Sequence, residues 1–231
     1  MTKGTDSVQG LSPGKVWDYE NGFYWFSDPS RLNKMLAHYE LYRRITGLPG
    51  DVLELGVFKG LSLIRFAQFR ALLETEASRR IIGFDAFGDF PAEGLSDPSD
   101  HKFIEKFETE AGKGLSKAEM AAILEAKRIG NVDLVEGNVF QTLPDYLARN
   151  PQLRISLLHL DMDVGEPTRF ALEHLFERVV PGGLVVVDDY NAVAGATNAV
   201  DDFLRAAGGA SAGLSLQKLP NYRVPAFFVR P

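Results

Sequence analysis

The chain has 231 residues, with 25 Lys and Arg against 31 Asp and Glu, a formal net charge of -6, 45% hydrophobic residues and no cysteine. These proportions fit one globular domain, 1–231, and exclude wholesale disorder; the acidic balance argues against a nucleic-acid partner, and the missing thiols exclude disulfides, thiolate catalysis and cysteine-ligated metals. No apolar run reaches bilayer length and the first residues lack a signal-peptide stretch, so no membrane partner and a cytoplasmic location are expected.

Residues 1–15 are polar and Gly-rich and read as a loose arm. An aromatic cluster follows, Trp17, Tyr19, Phe23, Tyr24, Trp25 and Phe26, ahead of a helix whose Leu32, Met35, Leu36 and Tyr39 fall at i, i+3, i+4, i+7. Gly47, Pro49 and Gly50 stop it, closing an N-terminal segment over 1–49. Short apolar runs then alternate with helical patterns. The predicted strands are Val52–Leu55, Ile81–Asp85, Val132–Glu136, Ile155–Asp161 and Leu184–Asp188. The predicted helices lie at 61–78, 142–149, 166–179 and 197–207, with Pro181-Gly182-Gly183 leading into the fifth strand. Such alternation implies an α/β fold with a doubly wound, mostly parallel sheet covered on both faces. Leu214–Leu219 and Ala226–Val229, about a turn at Pro220-Asn221, add two antiparallel strands and bring the sheet to seven. Residues 86–130 exceed a plain crossover; Ser116 and Glu119 form a capping-box pattern, and the insertion reads as a helical lid.

Val52-Leu53-Glu54-Leu55-Gly56-Val57-Phe58-Lys59-Gly60 runs from a strand through a glycine turn into a helix. Gly56 permits the tight turn, and Gly60 permits close approach of a ligand or of the next helix. The spacing G-x-x-x-G is neither the dinucleotide fingerprint nor a phosphate-binding loop, which disfavours an NAD-dependent oxidoreductase. Asp85, ending the second strand, is placed to accept hydrogen bonds from a ribose diol.

Asp161-Met162-Asp163 and Asp188-Asp189 end two further strands on the same carboxyl edge. Carboxylates gathered there repel one another unless a cation sits among them or some are protonated, and hard oxygen ligands suit Mg²⁺. The local alternative is that Asp163 caps the next helix and that Asp188-Asp189 caps a turn. Among the histidines, His159 reads as a satisfied core residue. His38 and His174 carry little signal, and His101 sits where a lid would deliver it. No G-x-S-x-G elbow is present.

These segments, with Asp85-Ala86-Phe87, Glu166-Pro167-Thr168, Pro181-Gly182-Gly183 and Asp188-Asp189-Tyr190, resemble the macrocin O-methyltransferase family over roughly residues 50–205. The resemblance implies a class I, Rossmann-like methyltransferase that uses S-adenosyl-L-methionine (SAM) and Mg²⁺ on a hydroxyl of a sugar or glycoside. By the same resemblance Glu54, Gly56 and Gly60 line the methionine end of SAM, Asp85 holds the ribose, Gly137 and Asn138 lie near the adenine, and Ser62 and Phe87 are further cofactor-binding residues. Asp161, Asp188 and Asp189 would hold the metal, and Asp163 would be the general base. Two departures stand out: Val164-Gly165 replaces an apolar residue followed by Tyr, and a late histidine of some relatives has no counterpart. A homo-oligomer is expected by analogy. The alternatives are a catechol-type enzyme, with the aromatics of 17–26 stacking on the acceptor, and a non-catalytic SAM-binding partner protein.

Overall fold

Five runs rich in Val, Leu and Ile pair in parallel at the centre of the sheet: β1 (Asp51–Leu55), β2 (Ile81–Asp85), β3 (Val132–Glu136), β4 (Ile155–Leu160) and β5 (Val179–Val187). The computed structural model describes residues 7–91, 94–95, 98–220 and 223–231. Two short strands, β6 (Gln217–Lys218) and β7 (Ala226–Val229), complete the sheet, β7 lying antiparallel to β5. The order is β3-β2-β1-β4-β5-β7-β6, so the direction of winding reverses between β1 and β4. A ligand site is expected outside the carboxyl ends of the strands at that reversal.

The helices are α1 (Val16–Phe26), α2 (Pro29–Ile45), α3 (Leu61–Leu73), α4 (Pro98–Ala111), α5 (Lys117–Ala126), α6 (Val139–Arg149), α7 (Gly165–Leu175) and α8 (Ala194–Ala206). Both faces of the sheet are covered, and each has its own core. Val52, Ile81, Leu157 and Val186 pack against Leu41, Tyr42, Phe66 and Met120 of α2, α3 and α5. On the other face Leu53, Ile82, Leu158 and Val185 pack against Leu143, Leu172 and Val200 of α6, α7 and α8. Burial on both faces is why these strands are continuously apolar rather than alternating. No helix among the described residues is long and apolar enough to cross a membrane.

Several boundaries differ from the sequence expectation, each for a local reason. The helix expected over 61–78 stops at Leu73, because Glu74 turns out of the helix to meet Arg79 and a Thr75–Ser78 capping box starts a separate 3-10 turn. That expected over 166–179 stops at Leu175, because Val179 already pairs with Ile155 and β5 runs through Pro181-Gly182-Gly183. The helices expected at 142–149 and 197–207 begin earlier, at Val139 and Ala194. The second tail strand is found as expected, whereas the first is confined to Gln217–Lys218. In the turn between them Asn221 lies outside the described residues, as do residues 1–6 of the expected arm.

The inner face of α2 is also rotated from the expectation. Leu36 is 45% exposed, and the buried side chains are Ala37, His38, Leu41, Tyr42 and Ile45. α1 contributes no buried side chain at all, so its aromatics are not part of the core.

Candidate active site

The parallel register aligns the carboxyl ends of β1, β2, β4 and β5. Leu55 lies opposite both Phe84 and Leu160, and Leu160 opposite Val187. The chain leaves β1 through Gly56, whose φ of +92° lies in the left-handed region. A Cβ there would fall inside contact distance of the Asp161 carbonyl oxygen and 2.6 Å from its carbon, so the glycine is what lets β1 and β4 converge. Gly60 heads α3 with φ +74°; its Cβ would meet the Met120 Sδ at 2.6 Å. Gly60 thus makes room for Met120 of α5, a later helix than the next one expected to approach it.

Asp85 organises this turn. One carboxylate oxygen accepts the backbone N–H groups of Val57 and Phe58, both at 2.8 Å, and the other accepts that of Phe87 at 2.7 Å. A carboxylate offers about four lone-pair directions, so roughly one is left for a ligand hydroxyl. Asp85 lines a cavity together with Gly56, Gly137, Asn138, Asp161 and Asp163. Gly137 has φ +128°, and Asn138 caps α6 by accepting from the Phe140 N–H. The insertion reaches the same cavity through Phe107, Glu108, Gly112, Lys113 and Gly114, and Phe58, Phe90 and Phe140 add aromatic walls. Glu54, Gly60, Ser62 and Phe87 do not line it. No residue of α1 does either, so the aromatics of 17–26 stand apart from this cavity.

Glu54 and Ser62 lie beneath it. Glu54 is fully buried on β1, accepts a short hydrogen bond from the Ser62 hydroxyl, and lies 3.0 Å from His159 Nδ1 on the neighbouring strand. Its second oxygen has no hydrogen-bond partner. His159 Nε2 is 3.7 Å from Asp188 Oδ1, and His38 Nε2 on α2 is 3.5 Å from the same oxygen. His159 is therefore the core histidine expected from the sequence, partnered on Nδ1. His38, from which little was expected, is fully buried beside Asp188. His101 and His174 are exposed and bond the backbone carbonyls of Leu95 and Phe170.

The acidic residues meet as their strand positions implied. Asp161, Asp188 and Asp189 each offer one oxygen, all within 4.8 Å of one another. Asp163 has φ +65°, and its N–H donates to Asp189 Oδ2 at 3.0 Å, holding the two acidic segments together. The local alternative for Asp163 fails: α7 is headed by Val164, with no side-chain cap, and the N–H of Gly165 is bonded by Asp100 of α4 at 2.9 Å. Lys34 of α2, which the sequence did not single out, pairs with Asp188 Oδ2 and lies 3.9 Å from Asp161 Oδ2.

The electrostatics follow from one ammonium facing four carboxylates. Burial and the neighbouring carboxylates push Asp161 and Asp189 well above the usual range. Burial raises Asp163 to about 6, against the hydrogen bond to Asp189. Asp188 is held low, because contacts with His159, His38 and Lys34 outweigh its burial. Burial opposes the charge on His159, but Asp188 and Glu54 outweigh it and raise the imidazole to about 10. Burial dominates for His38 and lowers it to about 4. Three carboxylates whose oxygens lie within 4.8 Å of one another, two of them disfavoured in their charged form by burial and mutual repulsion, suit a small divalent cation, which would relieve that repulsion.

The strand order and a ligand cavity at the winding reversal define a class I methyltransferase fold. The chain belongs to the Macrocin-O-methyltransferase (TylF) family, whose model matches residues 29–215. It is similar to the 8-demethyl-8-(2,3-dimethoxy-alpha-L-rhamnosyl)-tetracenomycin-C 4'-O-methyltransferase of Streptomyces olivaceus, 31% identical over 68% of this chain and 59% of that protein. It is also similar to the mycinamicin III 3''-O-methyltransferase of Micromonospora griseorubida, 27% identical over 75% of this chain and 67% of the relative. The chain thus spans about three fifths of the first relative's length. Among solved structures it matches CalS11, described as a TDP-rhamnose 3'-O-methyltransferase of calicheamicin biosynthesis. That match has a TM-score of 0.65 and 28% identity, and it covers 94% of this chain and 87% of that one.

Proposed function

We propose that this protein is a SAM-dependent O-methyltransferase acting on a hydroxyl of a sugar or glycoside. The observation that carries the reading is that Asp161 belongs both to the cluster of three carboxylate oxygens and to the wall of the cavity that Asp85 and Asn138 line. Cofactor and metal positions are therefore contiguous. The named activities of the two relatives and of CalS11, all O-methyltransferases, with rhamnose named for two of the three, support a sugar acceptor.

SAM supplies an electrophilic methyl group, and Mg²⁺ bound by hard oxygens makes a coordinated hydroxyl more acidic. Asp85 holds the ribose side of the cofactor, Gly137 and Asn138 the adenine side and Gly56 the methionine end, with Glu54, Gly60, Ser62 and Phe87 supporting the site from outside the cavity lining. Asp161, Asp188 and Asp189 would hold the ion, and Asp163 would take the acceptor proton as the hydroxyl oxygen bonds to the methyl carbon and the S–CH₃ bond breaks to release S-adenosylhomocysteine. The protein's task is alignment of the hydroxyl with the methyl group. The 86–130 insertion closes the cavity as a lid. Association through the exposed Trp17, Trp25 and Phe26 of α1, within one domain over 1–231, and a cytoplasmic location belong to the same proposal.

The test is replacement of Asp161, Asp188 or Asp189 by Ala, with S-adenosylhomocysteine affinity read by calorimetry and methyl transfer read separately. Turnover is expected to vanish while affinity for the cofactor product stays near that of the wild type. Undiminished turnover of Asp188→Ala in chelator would overturn the metal role.

A further inference from the structure

Lys34 stands on the first half of α2, where no residue before Ala37 is buried. It shares one face of the helix with His38, at i and i+4, and both side chains meet Asp188. The Lys34 ammonium pairs with Asp188 Oδ2 and lies 3.9 Å from Asp161 Oδ2, so it addresses two of the three carboxylates that offer an ion their oxygens. The ammonium lies within 3.9 Å of oxygens on two of the carboxylates that would hold a divalent cation, so the two positive charges would repel each other at short range. The Lys34 side chain is 23% exposed and its stem is flexible, so it has a way out. Asp188 would keep its other oxygen towards His38 and His159.

We propose that Lys34 is an intramolecular competitor for the divalent cation: its ammonium holds the Asp161–Asp188 pair, and metal binding expels it. The inference rests on the metal reading given above and adds to it a coupling between the ion and α2. The ion pair and the Asp28 cap, which accepts from the Ser30 N–H at 2.8 Å, tie down the first turns of this helix. Metal binding should therefore loosen residues 30–37 while ordering the acidic segments.

The probe is Mn²⁺, titrated into the full-length protein by calorimetry and by loss of the free-ion paramagnetic resonance signal. Lys34→Met and Lys34→Gln are expected to bind Mn²⁺ at least about tenfold more tightly than the wild type, because a contact cation is removed. Arg31→Gln, which removes an exposed charge one turn earlier, is expected to change affinity less than about threefold. Hydrogen exchange gives an independent readout: Mn²⁺ should speed exchange over 30–37 in the wild type and leave the Lys34 variants, already fast there, unchanged. Equal affinity in the wild type and both Lys34 variants, or an equal gain from Arg31→Gln, overturns the competition. If Asp188→Asn then still abolishes Mn²⁺ binding, the metal reading stands without it. Absence of binding in every protein overturns both.

Discussion

Replacing Gly56 by Ala joins the fold to the site in a single perturbation. The residue has φ +92°, and the left-handed region costs a residue with a Cβ about 1–2 kcal/mol. The new methyl would also sit inside contact distance of the Asp161 carbonyl oxygen, 2.6 Å from its carbon and 3.2 Å from Met162 N. These are backbone atoms at the end of a buried strand and cannot swing aside, so overpacking adds about 1–3 kcal/mol. The total expected loss is about 2–5 kcal/mol, and relief requires the Gly56 turn or the Asp161 backbone to shift, which disturbs the acidic segment either way. Gly60→Ala is the internal control. It meets the same left-handed penalty at φ +74°, but its obstacle is the thioether end of Met120, which can rotate; about 1–2 kcal/mol is expected. Urea unfolding reads both losses, and S-adenosylhomocysteine titration reads the damage to the cavity. A Gly56→Ala protein within about 1 kcal/mol of the wild type, or less affected than Gly60→Ala, would refute the reasoning.

Arg79→Met should cost about 3–5 kcal/mol in urea unfolding, because it leaves Glu74 buried without its partner and strips donors from the carbonyls of Ile45, Leu48 and Gly50. Adding Glu74→Gln should recover part of that loss. His159 gives a pH dependence. Its folded value of about 10 lies above the ordinary value of 6.5, so its stabilisation is complete below pH 6.5 and disappears as pH rises through 10. In chelator, the wild type should lose more stability over that range than His159→Asn, as measured by unfolding midpoints at a series of pH values. Asp100→Ala removes the carboxylate that bonds the Gly165 N–H at the start of α7. It should cost about 1–2 kcal/mol and speed proteolysis within α4.

Much of this was legible in the sequence because the signals were local. Strands buried on both faces are mostly apolar, which marked β2, β4 and β5 most clearly, and the aspartates at the ends of β4 and β5 announced a cluster once both strands were placed in one sheet. What stayed hidden depended on partners distant in the chain. Lys34 and His38 face inward on α2 although they are polar, because Asp188 is there to receive them; an apolar count therefore misplaced the inner face. Glu54 and His159 meet only because the register sets them side by side across β1 and β4. Asp85 gave a correct position and an incomplete role, since three of its hydrogen bonds go to the loop around it. The second glycine of the turn admits Met120 from α5, a helix its capping box announced but whose contact with the turn no local signal could show.

The central claim is methyl transfer to a sugar hydroxyl at a site where cofactor and ion are contiguous. Its most direct test is transfer of labelled methyl from SAM to a panel of nucleotide-linked and glycosidic deoxysugars, with catechols alongside and with Mg²⁺ or chelator. The account predicts label on a sugar hydroxyl, dependent on Mg²⁺ and absent in Asp188→Asn. Transfer that favours catechols, or no S-adenosylhomocysteine binding by the folded protein, would contradict it.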